Sequence, residues 1–272
     1  MKLQGYSAPL SPRGTASLVE PTPHHISAEA IQVIFRVGED VVARYLPPPL
    51  EPIEGGLVYA YVADMTKVSA HAPDQMYSNP ERTQYKEGIV GFFCRYGDRT
   101  GRYSPYIWIN QDWSLLFGHI MGWGKKIGRV HLTKWHEFNP GMGPLRPGVK
   151  LRGVVDRHGY RLLDMGVELV ERLPDGASVP SYGNNVFLLR WFPSTGPQVK
   201  PVQQLLALNL KGVRTVDAWK CNGHVVLGDS DNEELTDLQP KEIVGAYYFK
   251  RGWTTDGVAE LLWDYTEQGW PA

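Results

Sequence analysis

The feature that most restricts this chain is its punctuation. Apolar stretches of strand length recur along it, each closed by glycine, proline or a polar turn: Ala30 to Val37, Leu57 to Val62, Gly88 to Cys94 and Tyr106 to Asn110. Runs this short, rich in β-branched and aromatic residues, favour the pleated conformation over buried helix. Arg129 to Phe138, Val149 to Asp156, Leu162 to Arg172, Phe187 to Phe192 and Gln204 to Trp219 continue the series, the last long enough to bend. Met165-Gly166-Val167-Glu168-Leu169-Val170-Glu171 alternates with a period near two. Two segments read as helices: Val41 to Leu46, stopped by Pro47-Pro48-Pro49, and Thr254 to Gln268, where Val258, Leu261, Leu262 and Tyr265 fall at helical spacing. Residues 66–86 are polar and irregular, and a connection of that length usually carries function. The expected fold is mostly β with a few helices (α+β), a closed or partly closed antiparallel barrel rather than a parallel α/β sheet.

Residues 1–27, rich in Pro, Ser, Thr and Gly, read as an extended arm on the surface or on a partner subunit, and residues 28–272 as a single domain. A net charge of −1 without a basic stripe argues against nucleic acid as a partner. No apolar run reaches the roughly 18 to 20 residues of a membrane helix, and Met1 to Tyr6 lacks the apolar centre of a signal peptide, so a cytoplasmic protein is expected. Cys94 and Cys221 are too few for a disulfide framework and read as reduced thiols in or near the core.

Chemistry concentrates at Gly122-Trp123-Gly124-Lys125-Lys126-Ile127-Gly128, which follows a long apolar run, Tyr103 to Trp123, whose one formal charge besides is Asp112. Paired lysines usually mark a wet loop, but one emerging from such a run is open to desolvation, which favours the neutral, nucleophilic amine. Other motifs fail on inspection. Gly143 to Gly148 has the glycine spacing of a phosphate loop, yet Val149 stands where its lysine belongs. Asp229-Ser230-Asp231 opens like a calcium loop, but Glu234 and Pro240 occupy its glycine and glutamate positions. His131 and His136 would face opposite sides of a strand, and there is no Gly-x-Ser-x-Gly elbow. No metal site or cofactor is therefore expected.

Several segments together resemble the acetoacetate decarboxylase family, whose hallmark is Lys-Lys-hydrophobic-Gly with the first lysine as Schiff-base nucleophile. Lys125-Lys126-Ile127-Gly128 matches that motif, Phe35-Arg36 with Val41 to Glu51 matches the family's strand, short helix and Pro-x-Pro-Leu-Glu turn, and Tyr85-Lys86-Glu87 lies near its Tyr-x-Glu spacing. Ala218-Trp219, Lys241 to Val244 and Asp264-Tyr265 follow in matching order, so the resemblance spans roughly residues 28 to 266. It implies a cone-shaped, mainly antiparallel β-barrel with short flanking helices and a homo-oligomer. It also departs from the family: Phe117-Gly118-His119 replaces Gly-Arg-Glu, the family's active-site arginine falls on about Ala28, and a second pocket glutamate falls on Tyr61.

The resemblance implies Lys125 as nucleophile, with Lys126 as its neighbour and Glu87 as proton shuttle. Tyr85, Trp123, His119 and Tyr61 are the candidate substrate-binding residues. If the lysine segment is extended, Lys126 points away from Lys125, and desolvation by the aromatic run becomes the larger influence on the amine. The expected activity is a cofactor-independent lyase that decarboxylates a small 3-oxo acid through an iminium. The alternatives are an aldolase–dehydratase acting on pyruvate and an aldehyde, and a barrel that binds a small molecule without turnover.

Overall fold

The computed structural model describes residues 2–174, 176–177, 179–183 and 185–271. Its first strands are β1 (His24–Arg36), β2 (Glu51–Pro52), β3 (Leu57–Ser69), β4 (Gln84–Tyr96) and β5 (Arg99–Ile109). Two short strands follow, β6 (Lys125–Ile127) and β7 (Arg129–Leu132), then β8 (Lys150–Arg157), β9 (Tyr160–Arg172) and β10 (Asn185–Phe192). The series closes with β11 (Val202–Asn209), β12 (Lys211–Leu227), β13 (Glu242–Thr255) and β14 (Glu260–Asp264). Helices are short: α1 (Glu39–Ala43), α2 (Gln75–Ser78), α3 (Asp112–Met121) and α4 (Tyr265–Gln268).

The strands form one sheet in the order β14-β11-β10-β5-β4-β3-β1-β13-β12-β9-β8-β7, with β2 on β4 and β6 on β5. Pairing is antiparallel except where β10 and β6 meet β5. The fold is thus mostly β, as expected, although the sheet curves without joining its ends.

Side-chain alternation assigns each central strand two jobs. Ile31, Val33 and Phe35 of β1, Val58, Ala60 and Val62 of β3, and Val90 and Phe92 of β4 enter the main core with residues of β8, β9 and β12. The alternate positions, Ile26, Ala28, Ala30, Met65, Tyr85 and Phe249 among them, form a second cluster on the other face, against Trp113 of α3. Each large side chain so buried contributes about 1.5–3 kcal/mol, which holds the strand register against a one-residue slip.

Four local expectations change. Thr254 to Gln268 is not a helix: β13 runs to Thr255, Gly257 turns the chain at φ +72, β14 pairs with β11, and only Tyr265–Gln268 is helical. The pairing partner, some sixty residues upstream, outweighs local spacing. Gln204 to Trp219 is two strands, β11 and β12, with different neighbours. Of Arg129 to Phe138 only β7 is extended. The polar stretch at 66–86 shrinks to 70–83, because β3 reaches Ser69 and β4 begins at Gln84.

Residues 17–23 bond to the rest of their own chain. Val19 is fully buried, and Glu20 accepts from Lys67 Nζ at 2.9 Å, Gln75 Nε2 at 2.8 Å and Arg82. Among the described residues no helix is long and apolar enough to cross a membrane.

Candidate active site

The lysine pair is delivered by a helix the sequence reading missed. Within the apolar run, Asp112 Oδ1 accepts the Trp113 N–H at the start of α3, and Trp113, Phe117 and Met121, four residues apart, are buried. Gly122 ends the helix at φ +103, a conformation glycine adopts without strain. The N–H groups of Gly122 and Trp123 both donate to the Gly118 carbonyl, at 2.9 and 2.8 Å. The chain thereby reverses, and β6 runs parallel to β5 with Lys125 opposite Ile107 and Lys126 opposite Trp108.

Alternation then separates the lysines. Lys125, 6% exposed, enters a pocket of about 120 Å³ lined by Tyr59, Tyr61, Tyr85, Phe117, Trp123 and Phe249 among others. Its Nζ donates to Glu87 Oε2 at 2.7 Å and to Ser114 Oγ at 3.1 Å, and lies 5.2 Å from the centre of the Tyr85 ring. Glu87 is on β4, not in a loop, and its neighbours on the same face are Tyr85 and Ile89. Burial raises the Tyr85 phenol well above its ordinary value, and the Glu87 charge adds to this, so Tyr85 stays a neutral donor. Tyr61 is raised by burial and Glu87 while Arg251 and Arg102 pull it down, which places its hydroxyl within the fields of both ends of the pocket.

Two residues assigned to the site from sequence lie off this pocket. Lys126 projects to the opposite face, donating to buried Glu233 Oε2 at 2.7 Å and to the Asn232 carbonyl at 3.1 Å. Glu233 also accepts from Trp108 Nε1 at 3.1 Å, so Lys126 ties the 228–235 segment to the sheet. His119 sits in a neighbouring cleft, where its Nε2 donates to the Lys125 carbonyl at 3.0 Å and steadies the backbone. The pocket therefore holds Lys125, Glu87, Tyr85, Trp123 and Tyr61 of the residues named from sequence.

Gly118 makes room for the Lys125 side chain. A Cβ there would stand 2.6 Å from Lys125 Cδ and 2.7 Å from Cγ, the fixed stem rather than the free end of the side chain. Gly118→Ala is expected to push the amine off Glu87 and Ser114 and to slow any Lys125 adduct by roughly a hundredfold, the usual cost of about 1 Å of misplacement. Alanine gains about 1 kcal/mol of helix propensity over glycine, so a slowed adduct at an unchanged melting temperature would identify displacement rather than unfolding.

The family model for acetoacetate decarboxylase matches residues 7–265. The chain belongs to the acetoacetate decarboxylase family. A solved acetoacetate decarboxylase-like enzyme from Sphingomonas wittichii RW1 is 29% identical at TM-score 0.90, covering 96% of this chain and 100% of its own. The enduracididine biosynthesis enzyme MppR, complexed with the condensation product of pyruvate and imidazole 4-carboxaldehyde, is 27% identical at TM-score 0.88, over 97% and 98% of the two chains. An acetoacetate decarboxylase from Legionella pneumophila shares the fold at 19% identity and TM-score 0.72, over 97% and 98%. No curated protein matches in sequence.

Within the family frame, the departures seen in the sequence have structural consequences. Gly118 vacates the volume that the Lys125 stem fills. Ala28 pairs on β1 with Arg251 of β13, so a guanidinium stands one strand away from the position where the family's arginine falls. Burial and the charge of Arg102 push Arg251 below its ordinary value. Ser114, Arg102 and Arg251 were not identified from sequence: they sit in no motif, and the packing of α3 brings Ser114, and the sheet brings Arg102 and Arg251, to Lys125's pocket.

Proposed function

We propose that this chain is a lyase that joins Lys125 Nζ to the carbonyl of a small oxo acid as an imine. The observation that carries the reading is a buried amine held 2.7 Å from a single carboxylate, Glu87, in a mostly apolar pocket. Glu87 takes the ammonium proton, and the free amine attacks the ketone. Glu87 returns that proton to the carbinolamine hydroxyl, which leaves as water and gives an iminium, an electron sink that needs no cofactor. From a 3-oxo acid, the electron pair of the bond to the carboxyl carbon moves towards the iminium nitrogen and carbon dioxide leaves. The enamine takes a proton at carbon, and hydrolysis returns the ketone and the lysine.

A second fate is favoured by the likeness to MppR with its pyruvate-derived condensation product. The pyruvate iminium gives a methyl proton to Glu87, the enamine forms a carbon–carbon bond to an aldehyde, and water is then lost. Intact-mass measurement after borohydride reduction separates these fates. An acetoacetate adduct at Lys125 with carbon dioxide release is expected for the first, and a pyruvate adduct with aldehyde consumption for the second. No adduct with either, nor with longer 3-oxo acids, would reduce the protein to a binder.

A further inference from the structure

Two charged groups in the pocket have no part in that chemistry. Arg102 enters from β5 and Arg251 from β13. Arg251 stacks on Phe249, its guanidinium carbon 4.7 Å from the ring centre, and donates from Nε to Thr215 Oγ1 at 3.1 Å. Those contacts fix the stem and leave the terminal nitrogens without a protein acceptor among the described residues. Arg102 likewise has no ion pair or side-chain hydrogen bond among the described residues. Glu87, the one carboxylate on the pocket wall among the described residues, is already engaged by Lys125. Two cations without counter-ions in a mostly apolar wall are costly unless a ligand brings negative charge.

The pair stands apart from the nucleophile. Lys125 is opposite Ile107, while Arg102 precedes Ile107 on β5 and faces Phe93, roughly 16 Å away along the strand at about 3.3 Å per residue. Arg251 comes from the far wall, beyond β4, β3 and β1. Tyr61 on β3 lies between the two ends.

We propose that Arg102 and Arg251 form a second anion site, and that the pocket takes an oxo acid with two carboxylates, the arginine pair holding the one remote from the carbonyl that meets Lys125. The carbonyl end of this assignment rests on the imine reading; the anion site does not. Charge direction supports the remote role. A carboxylate about to leave as neutral carbon dioxide loses its attraction to a guanidinium in the transition state, so clamping it would stabilise the ground state and slow the reaction. A carboxylate that is retained keeps its attraction throughout and anchors the substrate at no cost to the barrier. Forked donors suit that group better than an ammonium would.

The test compares wild type with Arg102→Met and Arg251→Met. Calorimetric titration with glutarate and butyrate, which lack a carbonyl, reads the anion site alone. Glutarate should bind wild type at least about tenfold tighter than butyrate, and each substitution should weaken glutarate by about 10- to 100-fold, the range for a charged hydrogen bond. In borohydride trapping, half-saturating concentrations of 3-oxoglutarate and 2-oxoglutarate should rise by a similar factor, and those of acetoacetate and pyruvate should stay within about threefold. Arg251→Lys, which keeps charge without the fork, should retain part of the glutarate affinity and so guards against a folding defect in the methionine variants. Equal binding of glutarate and butyrate to wild type would overturn the proposal. So would equal weakening of mono- and dicarboxylates in the variants, because the pair would then hold the only carboxylate the substrate has. Glutarate selectivity without any oxo-acid adduct would support the anion site while rejecting the imine.

Discussion

Lys125→Ala is expected to abolish the borohydride-trapped adduct and to lower turnover by at least about a thousandfold, since removal of a covalent nucleophile is not compensated by its neighbours. Lys126→Ala is expected to retain the adduct. The contrast follows from the half-turn of the backbone per residue in β6: Lys125 reaches Glu87 and Ser114 in the pocket, and Lys126 reaches Glu233 on the other face. Both variants lose stability, for different reasons. Without Lys125, the buried Glu87 carboxylate lacks a counter-ion, a change that costs about 3–5 kcal/mol when a buried pair is broken. Lys125→Arg keeps the charge without an imine-forming amine, so it separates chemistry from folding. Without Lys126, Glu233 keeps Trp108, and Arg157 lies 3.7 Å away, so the loss should be smaller, about 1–3 kcal/mol. Thermal unfolding and trapping measured on the same three preparations decide the matter; equal loss of adduct from Lys125→Ala and Lys126→Ala would refute the division of labour.

Glu20→Gln is expected to lower stability by about 3–5 kcal/mol and the melting temperature by roughly 10 °C. Glu20 is the counter-ion of Lys67, whose side chain is 2% exposed, and of Arg82, and glutamine preserves its shape while leaving both cations unbalanced. The effect should reach the site. Lys67 Nζ lies 4.6 Å from the Trp113 ring centre, and Trp113 meets Tyr85 edge-on at 5.2 Å beneath the Lys125 amine. Acid should act on the same junction. Burial pushes the Glu20 carboxyl up, but hydrogen bonds from Gln75 and Lys67 and the Lys67 charge outweigh it, so its value lies below the ordinary 4.5. That contribution to stability is present above pH 4.5 and is lost as pH falls through the folded-state value. His24, lowered by burial and by Lys67 from 6.5 to about 4, accepts a proton more readily when unfolded, so its contribution is present above pH 6.5 and declines between 6.5 and 4. Unfolding free energies should therefore begin to fall near pH 6.5 and fall more steeply below 4.5. In Glu20→Gln the second phase should be reduced; a wild-type curve flat from pH 7 to 4.5 would contradict the His24 assignment, and one that does not steepen below 4.5 the Glu20 assignment.

What could be read from the sequence was whatever repeats at short range. Short apolar runs in β1, β3 and β4 and the alternation of Met165 to Glu171 in β9 announced a mostly β fold, and the same period of two, applied to Lys125-Lys126, implied that one lysine faces away from the other. The ordered family motifs pointed to Lys125 and Glu87, which the structure brings together as a buried ion pair. The reading failed where a local pattern competed with a distant one. Thr254 to Gln268 has helical spacing, yet the open edge of β11 captured Glu260–Asp264 as β14. The α3 helix went unseen because Leu115, Leu116 and Ile120 add apolar residues outside the Trp113, Phe117 and Met121 row and blur its stripe.

The sequence by itself determined the fold class and the lysine pair, because alternation and motif spacing are properties of neighbouring residues. Only the tertiary structure decided the pocket: that Gly118 gives Lys125 its space, that Ser114 joins Glu87 at the amine, and that Arg102 and Arg251 converge from separate strands of the curved sheet. Glu87, Arg102 and Arg251 are distant from Lys125 in sequence, and Ser114 and Gly118 meet it only because the chain reverses at Gly122, so no local period encodes the set. Their proximity comes from burying one face of each strand in a shared core, which curves the other face around the amine.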